Sequence, residues 1–246
     1  MKEQFSRSAL LLGEDTMSRL FSAKVALFGV GGVGGHCAEA LARAGIGSIH
    51  LFDDDTVSVS NLNRQLAALH STLGLPKAQV MADRIRDINP DCDVKAIRLF
   101  YLPSNADQVD LTQFDYVIDC IDTVSAKLEL ISRCTAHNIP IISSMGTGNK
   151  VDPSALQISD ISKTQGCPLA RVMRKELRKR GINHQKVLWS TEEPRKPLQA
   201  ACSESPAVPS DTRPESDARK DTPGSLPFVP AAAGILIASA VVRDLI

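Results

Sequence analysis

Three glycines near the N-terminus have the spacing of a phosphate-binding turn. Gly29, Gly31 and Gly34 form a G-x-G-x-x-G pattern between an apolar run and a stretch of small residues. Glycines in this context let backbone N–H groups and a helix N-terminus approach phosphates. Asp53 ends the next apolar run, 24 residues beyond Gly29, near the spacing at which such folds bind ribose hydroxyls. Both features predict a nucleotide site, for NAD or ATP alike; the alternative is a structural glycine turn with structural aspartates.

Two cations further along the chain favour a triphosphate over a dinucleotide. Arg64 lies in the stretch S-N-L-N-R-Q at 60–65, and Lys77 follows Pro76. A triphosphate carries several negative charges that must be neutralised before a carboxylate attacks phosphorus, whereas a dinucleotide needs no second cation cluster. Either cation taken alone is more often a solvated surface charge.

A carboxylate follows a later strand candidate. Asp122 comes just after the apolar run that ends at Asp119 and Cys120, where the carboxyl edge of a parallel sheet is expected. A carboxylate at this edge can hold Mg2+ against nucleotide phosphates. The alternative role for Asp122 alone is that of a helix N-cap.

These residues stand between alternating elements that must position them. We expect strands at 24–30, 48–52, 94–99, 116–120 and 140–144 and helices at 36–44 and 125–137. A further helix begins with Pro76 at its N1 position and closes at Asn89 and Pro90. Beyond these, 151–159 and 186–190 are strand candidates and 167–180 is a helix candidate. Apolar strands that alternate with helices predict an α/β fold with a doubly wound, mainly parallel, Rossmann-like sheet.

The composition excludes some classes of function. Of the 246 residues 43% are hydrophobic, and 28 Lys and Arg balance 28 Asp and Glu. The whole molecule therefore cannot act as a polycation, and an anionic partner must be met by a local patch. The cysteines form no C-x-x-C pair, so a paired-cysteine zinc site is absent. Scattered cysteines and the lack of a signal-peptide pattern indicate a reduced, cytoplasmic protein.

Two segments stand apart from the alternating pattern. Residues 226–242 are almost wholly apolar, but the run is short for a bilayer and carries two prolines near its start, which favours a buried core helix over a membrane anchor. Residues 203–225 are rich in proline and charge, which predicts a disordered insertion, either a linker or a lid. We expect one domain over 1–246, with an ATP-binding core at 24–150 and a substrate-side or dimer region at 151–201 and 226–246.

The nucleotide motifs taken together resemble a known family. The stretches GVGGVG, DDDTVSVSNLNRQ, LPKAQ and DCIDT stand in the order and near the spacing of the E1-like family of molybdopterin and thiamin sulfur-carrier activators and ubiquitin-activating enzymes. The resemblance implies ATP-dependent activation of a carboxylate, with adenylation favoured over phosphorylation. It implies that Gly32 approaches the nucleotide, that Asp53 binds ribose and that Asp122 is the metal-linked carboxylate. It further implies phosphate contacts from Asn61, Arg64, Gln65 and Lys77.

The resemblance extends to the N-terminus. Phe5, Ser6 and Arg7 match the position from which this family sends an arginine of the partner subunit into the active site. The resemblance therefore implies a homodimer with composite sites. The residues that it implies for catalysis are Arg7, Arg64, Lys77 and Asp122.

The second half of the chain narrows the substrate. It lacks the zinc-binding cysteines of the sulfur-carrier activators and carries SMGTGNK at 144–150, then Asp152 and Pro153, Asp160, Lys163 and Thr164, and PLAR at 168–171. These motifs resemble the branch of the family that dehydrates threonylcarbamoyladenosine at position 37 of tRNA to its cyclic form. The resemblance implies a tRNA substrate, with ATP and Mg2+ as cofactors.

A basic stripe supports the tRNA interpretation. Its members fall at i, i+3, i+4 and i+7 of the predicted helix, opposite an apolar stripe, and are Arg171, Arg174, Lys175 and Arg178. A neutral protein that binds tRNA needs such a patch for phosphate contacts. The alternative is an ordinary solvated helix face.

Other functions remain open on sequence alone. One is a zinc-free activator of a small sulfur-carrier protein, with a sulfur-transfer or carrier protein as partner. A second is a nucleotide-binding scaffold without turnover, and a third is an NAD dehydrogenase. Cys167 and Cys202 are candidates for thiol relays, although lone cysteines are more often structural.

Overall fold

The computed structural model of this chain describes residues 3–196 and 223–246. Most of the predicted insertion, residues 203–222, lies outside the described residues. Cys202 lies outside them too. The two described ranges pack together, since the final helix of the chain contacts the glycine-rich turn near the N-terminus.

A mainly parallel sheet of seven strands runs through the described part of the chain. In chain order the strands are β1 (Lys24–Phe28), β2 (Ser48–Phe52), β3 (Asp93–Ile97), β4 (Tyr116–Asp119), β5 (Ile141–Ser144), β6 (Leu156–Asp160) and β7 (Lys186–Ser190). Their order in the sheet is β3-β2-β1-β4-β5-β7-β6. The β6 strand alone is antiparallel to its neighbour. The predicted doubly wound α/β sheet is confirmed.

Seven α-helices flank this sheet within the described ranges. They are α1 (Ser6–Leu12), α2 (Glu14–Ser22), α3 (Gly34–Ala44), α4 (Lys77–Ile88), α5 (Val124–Ala136), α6 (Pro168–Lys179) and α7 (Phe228–Leu245). Alternate residues of β1 serve two different cores, because successive side chains of a strand point to opposite faces. Val25 and Leu27 join the core that includes residues of α3, α4 and α7, while Ala26 and Phe28 join the core that includes residues of α5 and α6.

Several local predictions differ from the structure, and three of them bear on the site. The α4 helix begins at Lys77, with Pro76 as its N-cap and not its N1 residue. The strand predicted from 151 begins only at Leu156, because the Asp152 carboxylate accepts from the Ser154 N–H and starts a short 3-10 turn. The residue before α5 is Thr123, so the alternative role of Asp122 as N-cap is wrong.

The apolar α7 is a core helix on one face. It is long and apolar enough to cross a membrane by length and composition, with a mean hydropathy of 1.7 and 44% of that window buried. Val229, Ala233 and Ile237 are fully buried in the core. A Cβ on Gly234 would stand 2.3 Å from the Val33 carbonyl oxygen, so glycine permits the close crossing of α7 and α3. Its opposite face leaves Ile235 56% exposed.

Candidate active site

The predicted nucleotide residues gather at one edge of the sheet. The β1 strand lies between β2 and β4, and all three run parallel, so their carboxyl ends meet at one edge. The glycine-rich turn follows β1, Asp53 follows β2, and Asp122 follows β4 by three residues. In open α/β sheets, ligands bind in the crevice outside this edge.

The glycine-rich turn is closed so tightly that side chains do not fit. Gly29 has φ of +87°, a left-handed conformation, and a Cβ there would stand 2.7 Å from the Cys120 carbonyl oxygen. A Cβ on Gly34 would stand 1.8 Å from the Gly29 carbonyl oxygen. The turn therefore presses against the loop after β4 and leads directly into α3, whose N-terminus favours anions.

Asp53 joins the turn to the loop after β2. Its Oδ2 accepts from the Val30 N–H at 2.6 Å, and its Oδ1 accepts from the Asp55 N–H at 2.9 Å. Burial raises the pKa of this carboxyl, and the two backbone hydrogen bonds and Lys77 oppose the rise. Carboxylate lone pairs beyond those two bonds can accept from ribose hydroxyls.

Lys77 is buried but ion-paired with a more exposed partner. Its Nζ lies 2.8 Å from Asp55 Oδ2, and its backbone N–H donates to the Asp55 carbonyl oxygen. The side chain of Lys77 is 6% exposed and that of Asp55 is 43% exposed. Lys77 thus holds its ammonium beside Asp53 on the first residue of a helix.

The loop at 60–65 brings the other predicted phosphate contacts together. The Asn61 side-chain oxygen accepts from the Ser58 N–H, which fixes the start of the loop. The Arg64 guanidinium donates to the Ser60 carbonyl oxygen at 2.7 Å and to Asn63 Oδ1 at 2.9 Å. Gln65 Oε1 is buried with no hydrogen-bond partner in the described ranges.

Contacts around Gly31 and Gly32 tie this loop to the turn. The Gln65 amide nitrogen lies 3.8 Å from where a Cβ on Gly31 would stand, and the Arg64 carbonyl oxygen lies 3.7 Å from a Cβ on Gly32. Pro230 of α7 lies 3.2 Å from the same point on Gly32. The unsatisfied Gln65 oxygen beside the turn is what a site shaped for a polar ligand shows.

Asp122 is exposed and has only one long side-chain contact among the described residues, from Thr123 Oγ1 at 3.4 Å. Below it lies a buried ion pair that the sequence analysis missed, between Asp119 and Lys127. Both side chains are 0% exposed. A lysine in the middle of a helical pattern is predicted to be a surface residue, and no sequence signal distinguishes Lys127 from such a residue.

A second missed feature connects distant segments across the carboxyl edge. Asn149, at φ 60°, donates its backbone N–H to the Gly224 carbonyl oxygen and accepts from the Gly224 N–H on Oδ1, each at 2.7 Å. Its carbonyl oxygen accepts from the Arg195 N–H. The carbonyl oxygen of the next residue, Ser225, accepts from Asn63 Nδ2 at 2.9 Å. Residues 223–225 therefore link the loop after β5 to the loop that holds Arg64.

Arg7 lies elsewhere. It is exposed on α1, while the preceding Phe5 is buried against Phe21, with ring centroids 5.1 Å apart. These two rings line a cavity of about 620 Å3 with Gly47 and Asn89, which precede β2 and β3. The N-terminal segment is thus anchored at the amino edge of the sheet, opposite to the nucleotide residues.

The basic helix divides into engaged and exposed members. The Arg174 guanidinium donates to the carbonyl oxygens of Ile161 and Thr164 and to the Thr164 hydroxyl, so it braces the preceding turn. Glu176 pairs with two other cations of this segment, Lys179 and Arg180. The exposed members without an ion pair in the described ranges are Arg171, Lys175 and Arg178.

The described cysteines have the character of packing residues. Burial raises the pKa of Cys37 well above its ordinary value and that of Cys120 to about 12. Cys167 is 4% exposed, directly before α6. Since the thiolate is the reactive form and needs access, these thiols are poorly placed for transfer chemistry.

A magnesium ion fits this edge of the sheet only if the protein and the nucleotide phosphates share its coordination. No group of three or more His, Cys, Asp or Glu within the described ranges could hold a metal ion. Mg2+ is commonly bound through one or two carboxylates, with water and substrate phosphates completing its shell. A single exposed carboxylate at Asp122 fits that chemistry.

Comparisons with known proteins identify a family and several relatives of this chain. Residues 5–246 match the model of the ThiF family. The tRNA threonylcarbamoyladenosine dehydratase of Bacillus subtilis is 45% identical over 254 positions, which cover 100% of this chain and 96% of the relative. The crystal structure of the Escherichia coli enzyme of that name in complex with ATP has a TM-score of 0.84 at 35% identity, covering 99% of this chain and 93% of that one. The E. coli sulfur carrier protein ThiS adenylyltransferase is 34% identical over 147 residues, 59% of this chain and 58% of the relative.

Proposed function

The chain belongs to the ThiF family, and on that premise we propose that it dehydrates threonylcarbamoyladenosine in tRNA to the cyclic form with ATP. The observation that carries this proposal is the 45% identity along the whole chain with the B. subtilis dehydratase. The likeness to the ThiS adenylyltransferase covers only 59% of the chain, so activation of a sulfur-carrier protein is the second candidate. We also propose a cytoplasmic location, where the tRNA substrate occurs.

The chemistry requires a carboxylate to become an electrophile. The threonyl carboxylate is negatively charged and has no leaving group. One of its oxygens attacks the α-phosphorus of ATP, and pyrophosphate leaves. An internal nitrogen or oxygen of the same side chain then attacks the acyl carbon and gives up its proton, while AMP leaves with the former carboxylate oxygen. The second step is intramolecular and therefore entropically favoured, so no transfer cysteine is needed.

The site residues supply charge and position for the first step. Arg64 and Lys77 face the phosphates and offset the charge that repels the incoming carboxylate. Asp53 accepts from the ribose hydroxyls, Gly32 admits the nucleotide, and Asn61 and Gln65 add polar contacts to the phosphates. Asp122 holds Mg2+, which when bound neutralises phosphate charge. The close approach of Lys77, Asp53 and the glycine-rich turn supports these roles.

The domain boundaries enter as part of the proposal. Residues 24–150 are the ATP-binding core, and 151–201 with 226–246 form the substrate-side or dimer region. Pro230 of α7 packs on Gly32, so this second region also covers the glycine-rich turn.

We assign the exposed basic face of α6 to tRNA. Arg171, Lys175 and Arg178 have no carboxylate partner in the described part of the chain, so their charges are available to backbone phosphates. Arg174 belongs to the same face but reaches the tRNA only by giving up its bonds to Thr164. Each phosphate contact makes binding more sensitive to salt.

We further propose a homodimer in which Arg7 acts in the partner's site. Its neighbours on α1, Leu10 and Leu11, are 88% and 84% exposed, as expected of a surface that a second copy covers. Mixing Arg7→Ala and Asp122→Ala proteins tests this, because a mixed dimer contains one site with both native residues. Activity should appear on mixing two inactive proteins. Two variants that stay inactive when mixed, although they exchange subunits, contradict a composite site.

The decisive experiment is nucleoside mass spectrometry on threonylcarbamoyl-modified tRNA. The pure protein is incubated with this tRNA with and without ATP and with and without Mg2+. The expected result is ATP-dependent loss of one water from the modified adenosine. ATP binding with no mass change contradicts the proposal and favours the second candidate. Pyrophosphate exchange that depends on an added sulfur-carrier protein would then identify that candidate.

A further inference from the structure

The loop after β4 is built on an ion pair that is sealed from solvent. Lys127 of α5 donates from Nζ to Asp119 Oδ1 at 3.0 Å and lies 2.9 Å from Oδ2. Both side chains are 0% exposed. This lysine therefore cannot contact ATP or tRNA itself, although Asp122 stands only three residues after Asp119.

Both members of this pair also bind the backbone of one residue. Asp119 Oδ1 accepts from the Ile121 N–H at 3.1 Å, and Lys127 Nζ donates to the Ile121 carbonyl oxygen at 2.9 Å. Ile121 directly precedes Asp122. The two polar backbone groups of this one residue are thus held from the same buried pair.

The other side of the loop is fixed by the glycine-rich turn. A Cβ on Gly29 would stand 2.7 Å from the Cys120 carbonyl oxygen, so there is no room for a side chain between the two backbones. The loop at 120–122 is therefore held between the turn that binds nucleotide and the buried pair. Among the described residues the Asp122 side chain has only the long contact with Thr123, so its backbone determines where its carboxylate projects.

Stability alone does not account for such a pair. Burying two charges costs desolvation that their attraction barely offsets, and apolar residues of similar size often serve stability as well or better. What apolar residues cannot supply is a hydrogen-bond donor and an acceptor for Ile121. The pair is thus suited to fixing the loop rather than to filling the core.

We propose that Lys127, with Asp119, is a positioning residue that holds Asp122 toward the phosphates and Mg2+ of the bound nucleotide. The inference rests on the proposed function for the role of Asp122. Loss of the Lys127 ammonium releases the Ile121 carbonyl oxygen, so the loop gains conformations in which the Asp122 carboxylate points away from the phosphates.

The test compares three variants of the full chain. Lys127→Met removes the charge and keeps the length of the side chain. Asp119→Leu/Lys127→Met also removes the carboxylate, so that no unpaired charge stays buried. Leu130→Ala is the matched control, since Leu130 is also 0% exposed on α5 but lies outside the loop contacts. Thermal unfolding of each variant accompanies every measurement.

The first readout is binding and not turnover. Calorimetry measures the ATP affinity of each protein with Mg2+ and with EDTA. We expect the strengthening by Mg2+ to fall roughly tenfold in Lys127→Met, the scale on which residues that orient metal ligands act, with little change in EDTA. The double variant should recover melting temperature without recovering the Mg2+ effect. Leu130→Ala should lose stability and keep the Mg2+ effect.

The second readout is hydrogen exchange of the Ile121 amide, which should speed up in both Lys127 variants and stay slow in Leu130→Ala. Suppose that the wild-type protein converts the nucleoside and that Lys127→Met keeps the same rate and the same Mg2+ effect on ATP affinity. That result overturns the inference and leaves the proposed function standing. If the wild-type protein binds ATP but does not convert the nucleoside, the proposed function is overturned. The Mg2+ effect on ATP affinity then still decides whether Lys127 positions Asp122.

Discussion

Two loops at the same edge of the sheet are each followed by a helix that carries a buried lysine, but the two lysines differ in their partner. After β2, Lys77 pairs with Asp55, whose side chain is 43% exposed. After β4, Lys127 pairs with Asp119, and neither side chain is exposed. A lysine whose carboxylate partner is exposed to solvent can release that partner and pair with a phosphate, because water then solvates the released carboxylate. A lysine whose partner is sealed cannot do so without leaving a bare buried charge.

The difference separates two tasks that sequence treats alike. Lys77 is placed to interact with a ligand, and Lys127 is placed to shape the backbone. Substitutions should therefore have opposite profiles at the two lysines, with activity lost at Lys77 at little cost in stability and stability lost at Lys127.

The largest effect is expected at Lys77. Lys77→Met should lower the dehydration rate on the order of 10^2 to 10^3-fold, as removal of one preorganised charge at a reacting centre does. Unfolding in urea should change by less than about 1 kcal/mol, since the abandoned Asp55 is half exposed. Lys95→Met is the matched control, because Lys95 is an exposed residue of β3 outside the site. A Lys77 variant with wild-type rate would remove this lysine from the active site.

The next effect concerns Arg64 and Asp122, the two residues that we assign to the phosphates and to Mg2+. Arg64→Ala and Asp122→Ala should each lower the rate roughly 10^2-fold with folding intact, because both side chains face solvent rather than the core. Mg2+ titrations should tell them apart: Asp122→Ala should require more Mg2+, and Arg64→Ala should not. Full activity in either variant refutes its assigned role.

The third effect is on stability and belongs to the sealed pair. Lys127→Met should lower the free energy of unfolding by about 3 kcal/mol, because Asp119 is left charged and buried. Lys77→Met, measured under the same conditions, gives the comparison. Equal losses at both lysines would show that the exposure of the carboxylate partner does not govern the cost.

A third buried base, His50, sharpens the comparison because it forms no ion pair with a carboxylate in residues 3–196 or 223–246. Burial, assisted by Lys24 and Lys95 and opposed by Asp93, lowers the pKa of His50 from 6.5 to about 4. The unfolded chain therefore binds this proton first, and stability falls as the pH drops from 6.5 toward 4. At pH 5 this effect should lower the free energy of unfolding by about 1 to 2 kcal/mol relative to neutral pH. Urea unfolding at pH 7.5 and 5 should show a smaller difference between the two pH values in His50→Leu than in the wild type.

The smallest effect is expected at the solvated partner of Lys77. Asp55→Asn should lower the free energy of unfolding by only about 1 kcal/mol, because the amide oxygen that replaces the carboxylate can still accept from the buried Lys77 ammonium. ATP affinity should rise slightly, because a neutral amide at position 55 competes less strongly than a carboxylate with the phosphates for the Lys77 ammonium. Calorimetric titration with ATP measures this, and a clear loss of affinity would mean that Asp55 itself serves the nucleotide.

The sequence sufficed where short-range chemistry decides the structure. The strand at Ser48–Phe52 was predicted to the residue, and the glycine turn was placed correctly, because strand polarity and glycine spacing are local signals. It failed where a contact joins distant residues. Nothing local indicates that Lys127 is buried, or that Asn149 bonds to Gly224, 75 positions away. The late start of β6 depends on the Asp152 cap, which an apolar pattern does not reveal.

The packing of Pro230 on Gly32 has a consequence for biosynthesis. The glycine-rich turn leaves the ribosome long before the helix that covers it, because nearly the whole sheet lies between them in the sequence. Chains fold from the N-terminus during synthesis, so the early strands emerge without the wall that α7 provides. A nascent chain can therefore order its first strands but cannot complete its glycine-rich turn, and ATP binding should begin only after α7 has been made and has packed on the turn.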